Sequence, residues 1–333
     1  MEVTTVADDL IVAHEGTSVT RMSGLRAATA YDVAGTEVTT LPRPRGDLLC
    51  RFGTVNDVHF GEVEAGRLDD SPLGPVVRAA EGEAPYPETM NHAAVAEMAA
   101  AHLTAVLVKG DLSNDGRAEE WAAFEACYRD AFGERLHVVR GNHDGYQMQN
   151  AYTGDEWISL PGISVALMDT VVPGETGGTL TTDQLDWLDA RAATTDRPVF
   201  VMGHHQQSIG GNRDGVHFGL DPLSSDALDA VAFRRPAIIA YAAGHTHRHR
   251  VRRMHLSGIP SIEVGCVKDF PGTWAEYRVF EGAVLQIVHR MSSPEALSWS
   301  ERCRHLYADF GLDYTAYALG TLADRCFTIP WRA

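Results

Sequence analysis

Nine residues of the types that bind metals or move protons recur at one kind of place in this chain. Asp57 and His59, Asp111, Asn142 and His143, His204 and His205, and His245 and His247 each stand just beyond a short apolar run. Those runs are 52–55, 105–108, 136–139, 199–202 and 238–243. Imidazoles, carboxylates and an amide oxygen are together the ligand types that suit divalent transition metals, and one carboxylate can bridge two ions. A single aspartate after a strand would read as a helix cap. Five runs that all close on Asp, Asn or His point instead to one shared site. Asp111, between Gly110 and Gly116, is the candidate bridge of a two-metal centre.

The runs are short, rich in branched residues and closed by turn chemistry, which predicts buried strands rather than helices. Between them lie patterns at helical spacing. Met90, Ala94, Val95, Met98 and Ala99 mark a helix over 88–102, and Trp121, Phe124, Ala126 and Tyr128 mark another over 117–132. Strand, helix, strand is the order of parallel crossover units, hence an α/β fold. In such sheets, ligand groups collect at the C-terminal ends of the strands. A polar insertion over 61–87 is expected to lie near that edge, since long loops commonly border sites. Beyond His143 come a strand over 163–168, a helix capped by Thr181 or Thr182 with Leu185 and Leu188 on its apolar stripe, and a glycine-rich loop over 206–222. Arg248, Arg250 and Arg252 alternate on one strand face, which reads first as a solvated face, with a substrate contact by one of them as the alternative. The stretches 259–267 and 275–289 are expected to be closing antiparallel strands.

Three regions follow. Residues 1–46 form a small β extension, whose stretches 25–33 and 40–44 resemble the closing strands of a fibronectin type III module. Pro42, Pro44 and Gly46 end it, because proline cannot continue a ladder. Residues 47–290 carry the motifs. Residues 291–333 form a C-terminal arm with Tyr307, Phe310, Tyr314, Tyr317 and Trp331, enough aromatic surface to suggest either a homo-oligomer contact or packing on its own core. A net charge of -17 over 333 residues excludes a nucleic-acid-coating surface. Cys50, Cys127, Cys266, Cys303 and Cys326 are odd in number and form no CxxC pair, so reduced thiols are expected. The N-terminus lacks the pattern of a signal peptide, and no run approaches the ~20 apolar residues of a membrane helix. A cytoplasmic protein without a membrane partner is the expectation.

The five strand ends resemble the calcineurin-like metallophosphoesterase family, whose motifs DxH, GDxxxxG, GNH(D/E), GH and GHxH all occur here in that order. The resemblance implies a four-layer αββα sandwich holding two divalent ions (Mn, Fe, Zn or Co). Asp57, His59, Asp111 and His247 would hold one, and Asp111, Asn142, His204 and His245 the other. It implies catalytic roles for His143, as acid or charge stabiliser, and for Asp144, orienting an imidazole, with Asn142, His143 and His205 at the substrate. Asn114 stands where purple acid phosphatases carry a tyrosine ligand, which argues against an iron–tyrosinate centre. The expected activity is hydrolysis of small phosphodiesters by a metal-bridging hydroxide, with a look of bacterial class III cyclic-nucleotide phosphodiesterases. The alternatives are a phosphomonoesterase and a non-catalytic scaffold.

Overall fold

The computed structural model describes residues 1–68, 71–210 and 217–332. The N-terminal segment folds as an antiparallel meander of β1 (Glu2–Val6), β2 (Leu10–Glu15) and β3 (Ser18–Ser23), then a hairpin of β4 (Ala30–Val33) and β5 (Thr36–Thr39). The chain continues through β6 (Leu48–Val55), β7 (Ala105–Lys109), β8 (Leu136–Val139), β9 (Glu156–Leu160), β10 (Ile163–Met168), β11 (Val199–Gly203) and β12 (Ile238–Ala243). It closes with β13 (Arg250–Arg253), β14 (Pro260–Glu263), β15 (Thr273–Phe280), β16 (Ala283–Arg290) and β17 (Phe327–Pro330). Two six-stranded sheets result, ordered β17-β16-β15-β6-β7-β8 and β13-β14-β12-β11-β10-β9. The neighbours β6, β7 and β8 run parallel, as do β10, β11 and β12.

Period-two alternation builds the layers. Phe52, Ala105 and Leu107 meet Val165, Leu167, Phe200 and Met202 in a core between the sheets. The intervening residues face outward. Val55, Val106 and Val108 pack under the helix Tyr86–Ala100 and under Ala118–Phe124, which runs on through a wider turn to Phe132. Ala166, Met168, Val199 and Val201 pack under the helices Thr182–Thr194 and Pro222–Arg234. This is the expected α/β sandwich. The helix 182–194 starts where Thr181 accepts from the Gln184 amide and Gln184 returns the bond, a reciprocal cap.

Two segments differ from the sequence expectations. Within 259–267, β14 runs parallel to β12 and antiparallel only to β13. The arm contributes a sheet strand, since β17 extends the first sheet beside β16. The rest of the arm covers the helical layer, with Leu306, Tyr314 and Ala318 buried against the helix Tyr86–Ala100 and the strand core. Its aromatic residues are therefore largely folded onto this chain. All five cysteines are buried and unpaired. No helix among the described residues is long and apolar enough to cross a membrane.

The N-terminal meander packs Val6, Leu10, Ile11 and Val12 on Phe280, Leu285 and Ile287 of the first sheet. One buried cation fastens this seam: Arg278 reaches Asp8 and Asp9, each at 2.7 Å, and Glu276 at 2.9 Å. Burial opposes ionisation of Glu276, but His289 and Arg278 outweigh it and hold its carboxyl at about 2 instead of 4.5. A depressed carboxyl stabilises the fold above the unfolded value, and that contribution is lost as pH falls from about 4.5 towards 2. Thermal melts across this window should show up to about 3 kcal/mol more acid sensitivity in the wild type than in Glu276→Gln. Parallel curves would remove Glu276 from the acid transition.

Candidate metal centre

Strands β6, β7, β8, β11 and β12 deliver their C-terminal residues to one edge, and the backbone there is strained. Asp57, His59, Asp111, His245 and His247 have φ of 54°, 47°, 52°, 68° and 53°, a region non-glycine residues rarely adopt. Such strain persists only where surrounding bonds over-determine it. Here the Asp57 amide donates to the Gly110 carbonyl at 3.0 Å, the His59 amide to the Asp111 carbonyl at 2.9 Å, and the His245 amide to Asp57 Oδ1 at 3.0 Å. The loops brace one another. Two glycines make the approach possible: a Cβ at Gly110 would lie 2.4 Å from His204 Nδ1, and one at Gly141 would lie 2.2 Å from Asp111 Oδ1.

The side chains converge as ligands around cations do. Asp111 Oδ2 lies 3.4 Å from His59 Nε2 and 3.2 Å from His204 Nε2, so one oxygen sits between two imidazoles. Asn142 Oδ1 is 3.0 Å from the same His204 nitrogen, and His247 Nε2 is 3.6 Å from Asp57 Oδ1. Two ligand atoms about 2.1 Å from one ion stand roughly 3.0 to 3.4 Å apart, at right or tetrahedral angles. The tautomers agree with this. His204 Nδ1 donates to the Lys109 carbonyl at 2.8 Å, which leaves Nε2 to face two acceptor oxygens. His245 Nε2 donates to the Phe218 carbonyl, freeing Nδ1. Both ring nitrogens of His59 are buried without any hydrogen-bond partner. Buried polar atoms left unpaired are costly, and a cation between these groups satisfies them.

The charges lean the same way. Burial alone would raise the Asp111 carboxyl, but His204 and His143 hold it well below the carboxylate range. Burial would depress His204, yet the Asp111 charge lifts it to about 9. His59 is depressed to about 4, first by burial and then by the ammonium of Lys268, so it stays a neutral donor of a lone pair. Ligand atoms group as Asp57, His59 and His247; as His59, Asp111 and His143; as Asp57, Asp111 and His204; as His204, His205 and His245; and as His247, Cys266 and Asp269.

The remaining candidates divide. His143 lines the cavity, with its amide on Asp111 Oδ1 at 3.0 Å and its Nδ1 donating to the Asn114 carbonyl at 2.7 Å. His205 is fully buried behind the cavity wall, Nδ1 on Thr170 Oγ1 at 2.7 Å and Nε2 on the Thr176 carbonyl at 3.1 Å, and not at the substrate edge. Among the described residues, no imidazole is a hydrogen-bond partner of Asp144. Its carboxylate accepts from the amides of Gly141, Leu112 and Ser113 and from the Ser113 hydroxyl, so it ties the second motif's loop to the third. Arg248 and Arg252 both pair with Glu263, and none of the three arginines lines the cavity.

Other supporting residues went unread in the sequence. Lys109, fully buried, donates to Asn56 Oδ1 at 3.0 Å and to the Ala243 carbonyl, while the Asn56 amide donates to Asp57 Oδ2. Tyr146 takes the Asn142 amide hydrogen and so turns Oδ1 towards His204. Asp269 faces His247 Nδ1 at 3.6 Å, the carboxylate–imidazole pairing that fixes ring orientation beside metals. A lysine at the end of an otherwise apolar strand was the one available signal.

Above these groups opens a cavity of about 370 Å³, lined by His59, Asp111, Asn142, His143, His245 and His247 on its floor. A probable cyclic nucleotide phosphodiesterase of Synechococcus sp. is 27% identical over 155 residues, covering 43% of this chain and 57% of that protein. A glycerophosphodiester phosphodiesterase of Enterobacter lignolyticus is 27% identical over 179 residues, covering 47% and 61%. The chain thus spans about three fifths of each relative's length. A dimetal phosphatase from Danio rerio shares the fold with a TM-score of 0.55 at 15% identity, over 74% of this chain and 98% of that one. The sequence profile of the calcineurin-like phosphoesterases matches residues 50–249, which contain all five motif-bearing strand ends, and the chain belongs to that family.

Proposed function

We propose that this protein hydrolyses small-molecule phosphodiesters, cyclic nucleotides among them, with two divalent metal ions. The observation that carries this reading is Asp111 Oδ2 set between His59 and His204, beside imidazole nitrogens that no protein group satisfies. Asp57, His59, Asp111 and His247 would hold one ion, and Asp111, Asn142, His204 and His245 the other. Ions there would neutralise phosphoryl charge and make water acidic enough to attack without a side-chain nucleophile. The chain's own residues do the rest. His143, held by the Asn114 carbonyl through Nδ1, keeps Nε2 for proton exchange with the leaving alkoxide. Asp144 holds the loops that present Asp111 and Asn142. Five free, buried thiols fit work in the reducing cytoplasm.

A monoesterase is the second reading, and the cavity's cations speak against it. Lys268 and Arg67 are the cavity-lining lysine and arginine among the described residues. Lys268 is paired with Glu62 at 2.5 Å and Arg67 with Glu64 at 2.8 Å. Neither is left to take the second charge of a phosphate monoester. With metal-reconstituted protein, kcat/KM on bis(p-nitrophenyl) phosphate should exceed that on p-nitrophenyl phosphate by about tenfold or more, the weight of one unmatched charge interaction. Equal or reversed values overturn the diester reading.

A further inference from the structure

We infer that the C-terminal segment is the specificity wall of the site, and that it selects esters whose organic group carries a flat ring over esters of acyclic polyols. The inference rests on the phosphodiesterase reading above. The segment lies outside residues 50–249, yet Tyr307, Phe310, Tyr314 and Tyr317 line the same cavity as the candidate ligands.

The wall is anchored to the chemistry beneath it. Tyr314 Oη donates to Asp269 Oδ1 at 2.8 Å, and the other oxygen of that carboxylate faces His247. Tyr317 Oη donates at 3.0 Å to the carbonyl of Thr246, between the two histidines of the last motif. The Arg248 guanidinium, held by Glu263 at 2.7 Å, lies 5.1 Å from the Tyr317 ring centre. At the other end, the Asp309 amide donates to the Gly74 carbonyl and its carboxylate accepts the Gly74 amide, binding the segment to the 61–87 insertion.

These bonds decide what the wall can offer. The hydroxyls of Tyr314 and Tyr317 are engaged within the protein, so neither offers a free hydrogen-bonding group; Tyr314 is buried and braces the wall from behind, and the half-buried Tyr317 presents ring surface. At the mouth, Phe310 is 39% exposed, and Phe218, whose ring lies tilted with its centre 4.1 Å from that of His245, is 56% exposed. Bare aromatic surface beside a reaction site is stabilised by covering it with another apolar face. A planar ring meets that need by stacking, whatever its substituents. A polyol gives up hydration to such a wall without matching hydrogen bonds in return.

The test compares a cyclic adenine nucleotide with glycerophosphoethanolamine, using metal-loaded wild type, Phe310→Leu and Phe310→Ala. The wild type should favour the nucleotide in kcat/KM. Both variants should lower that ratio about five- to a hundredfold, the range of one lost base stack. Titration calorimetry with adenosine monophosphate and ribose 5-phosphate reads the wall without turnover. Wild type should bind the ring-bearing compound more tightly, and Phe310→Leu should lose much of the difference. Turnover with no ring preference in wild type, or a preference unchanged in both variants, overturns the wall while leaving the diesterase reading intact. No turnover of either diester, with a Phe310-dependent preference in binding, overturns the diesterase reading and leaves the wall.

Discussion

Asp111→Ala should leave the purified protein with neither metal and lower kcat/KM by about 10³- to 10⁴-fold or more, the loss of several kcat-determining kcal/mol of charge stabilisation. Its Oδ2 lies between His59 and His204, at 3.4 and 3.2 Å. Removing it takes a ligand from each proposed ion and the anion between two cations. Its Oδ1 also accepts the His143 amide at 3.0 Å, so the same change loosens the residue proposed to handle the leaving group. His59→Ala should be milder, because it takes a ligand from one proposed ion and leaves the shared carboxylate and the His204–Asn142–His245 set in place. Metal analysis after dialysis separates the two. Two near-stoichiometric ions retained by Asp111→Ala would show that the carboxylate is not shared.

The chemistry was legible where it depended on local pattern. Apolar runs of four to six residues, each closed by Gly, Asp, Asn or His, announce buried strands ending at one edge, and the structure brings those ends together. Parallel pairing of β6, β7 and β8 likewise follows from the helical patterns between them. What could not be read depends on partners distant in sequence. Pro260–Glu263 looks the same whether it pairs parallel with β12 or closes a hairpin, and Phe327–Pro330 becomes a strand only because β16 offers an edge some 40 residues earlier. Asp144 shows the same limit at the site. Its type and position suit a carboxylate behind an imidazole, but the amides of Gly141, Leu112 and Ser113 converge on it first. The arm is the largest case. Its aromatic residues are visible in the sequence, while their placement over the cavity needs Asp269, Thr246 and Gly74 as anchors.

His143→Ala should keep its metals and lose about 10²- to 10⁴-fold in kcat on diesters with poor leaving groups, the usual contribution of a positioned acid. The ring lies beside the ligand atoms of His59 and Asp111, while its own Nδ1 is taken by the Asn114 carbonyl. It stacks edge-on to His59 at 4.5 Å between ring centres, so its removal leaves the ligand set in place. The Asn114 carbonyl accepts the Nδ1 hydrogen at 2.7 Å, which fixes the ring orientation and leaves Nε2 to hand a proton to the leaving group. An alkoxide leaving group must be protonated as it departs, whereas p-nitrophenolate departs as a stable anion. The variant's deficit should therefore be large on alkyl esters and small on p-nitrophenyl esters, with a steeper dependence of log kcat on leaving-group pKa than in wild type. A uniform deficit across that series would instead mean that His143 acts by fixed charge on the phosphoryl oxygens. His143→Gln discriminates further, since it keeps a hydrogen-bond donor but cannot carry the proton, and it should resemble alanine only on the alkyl esters.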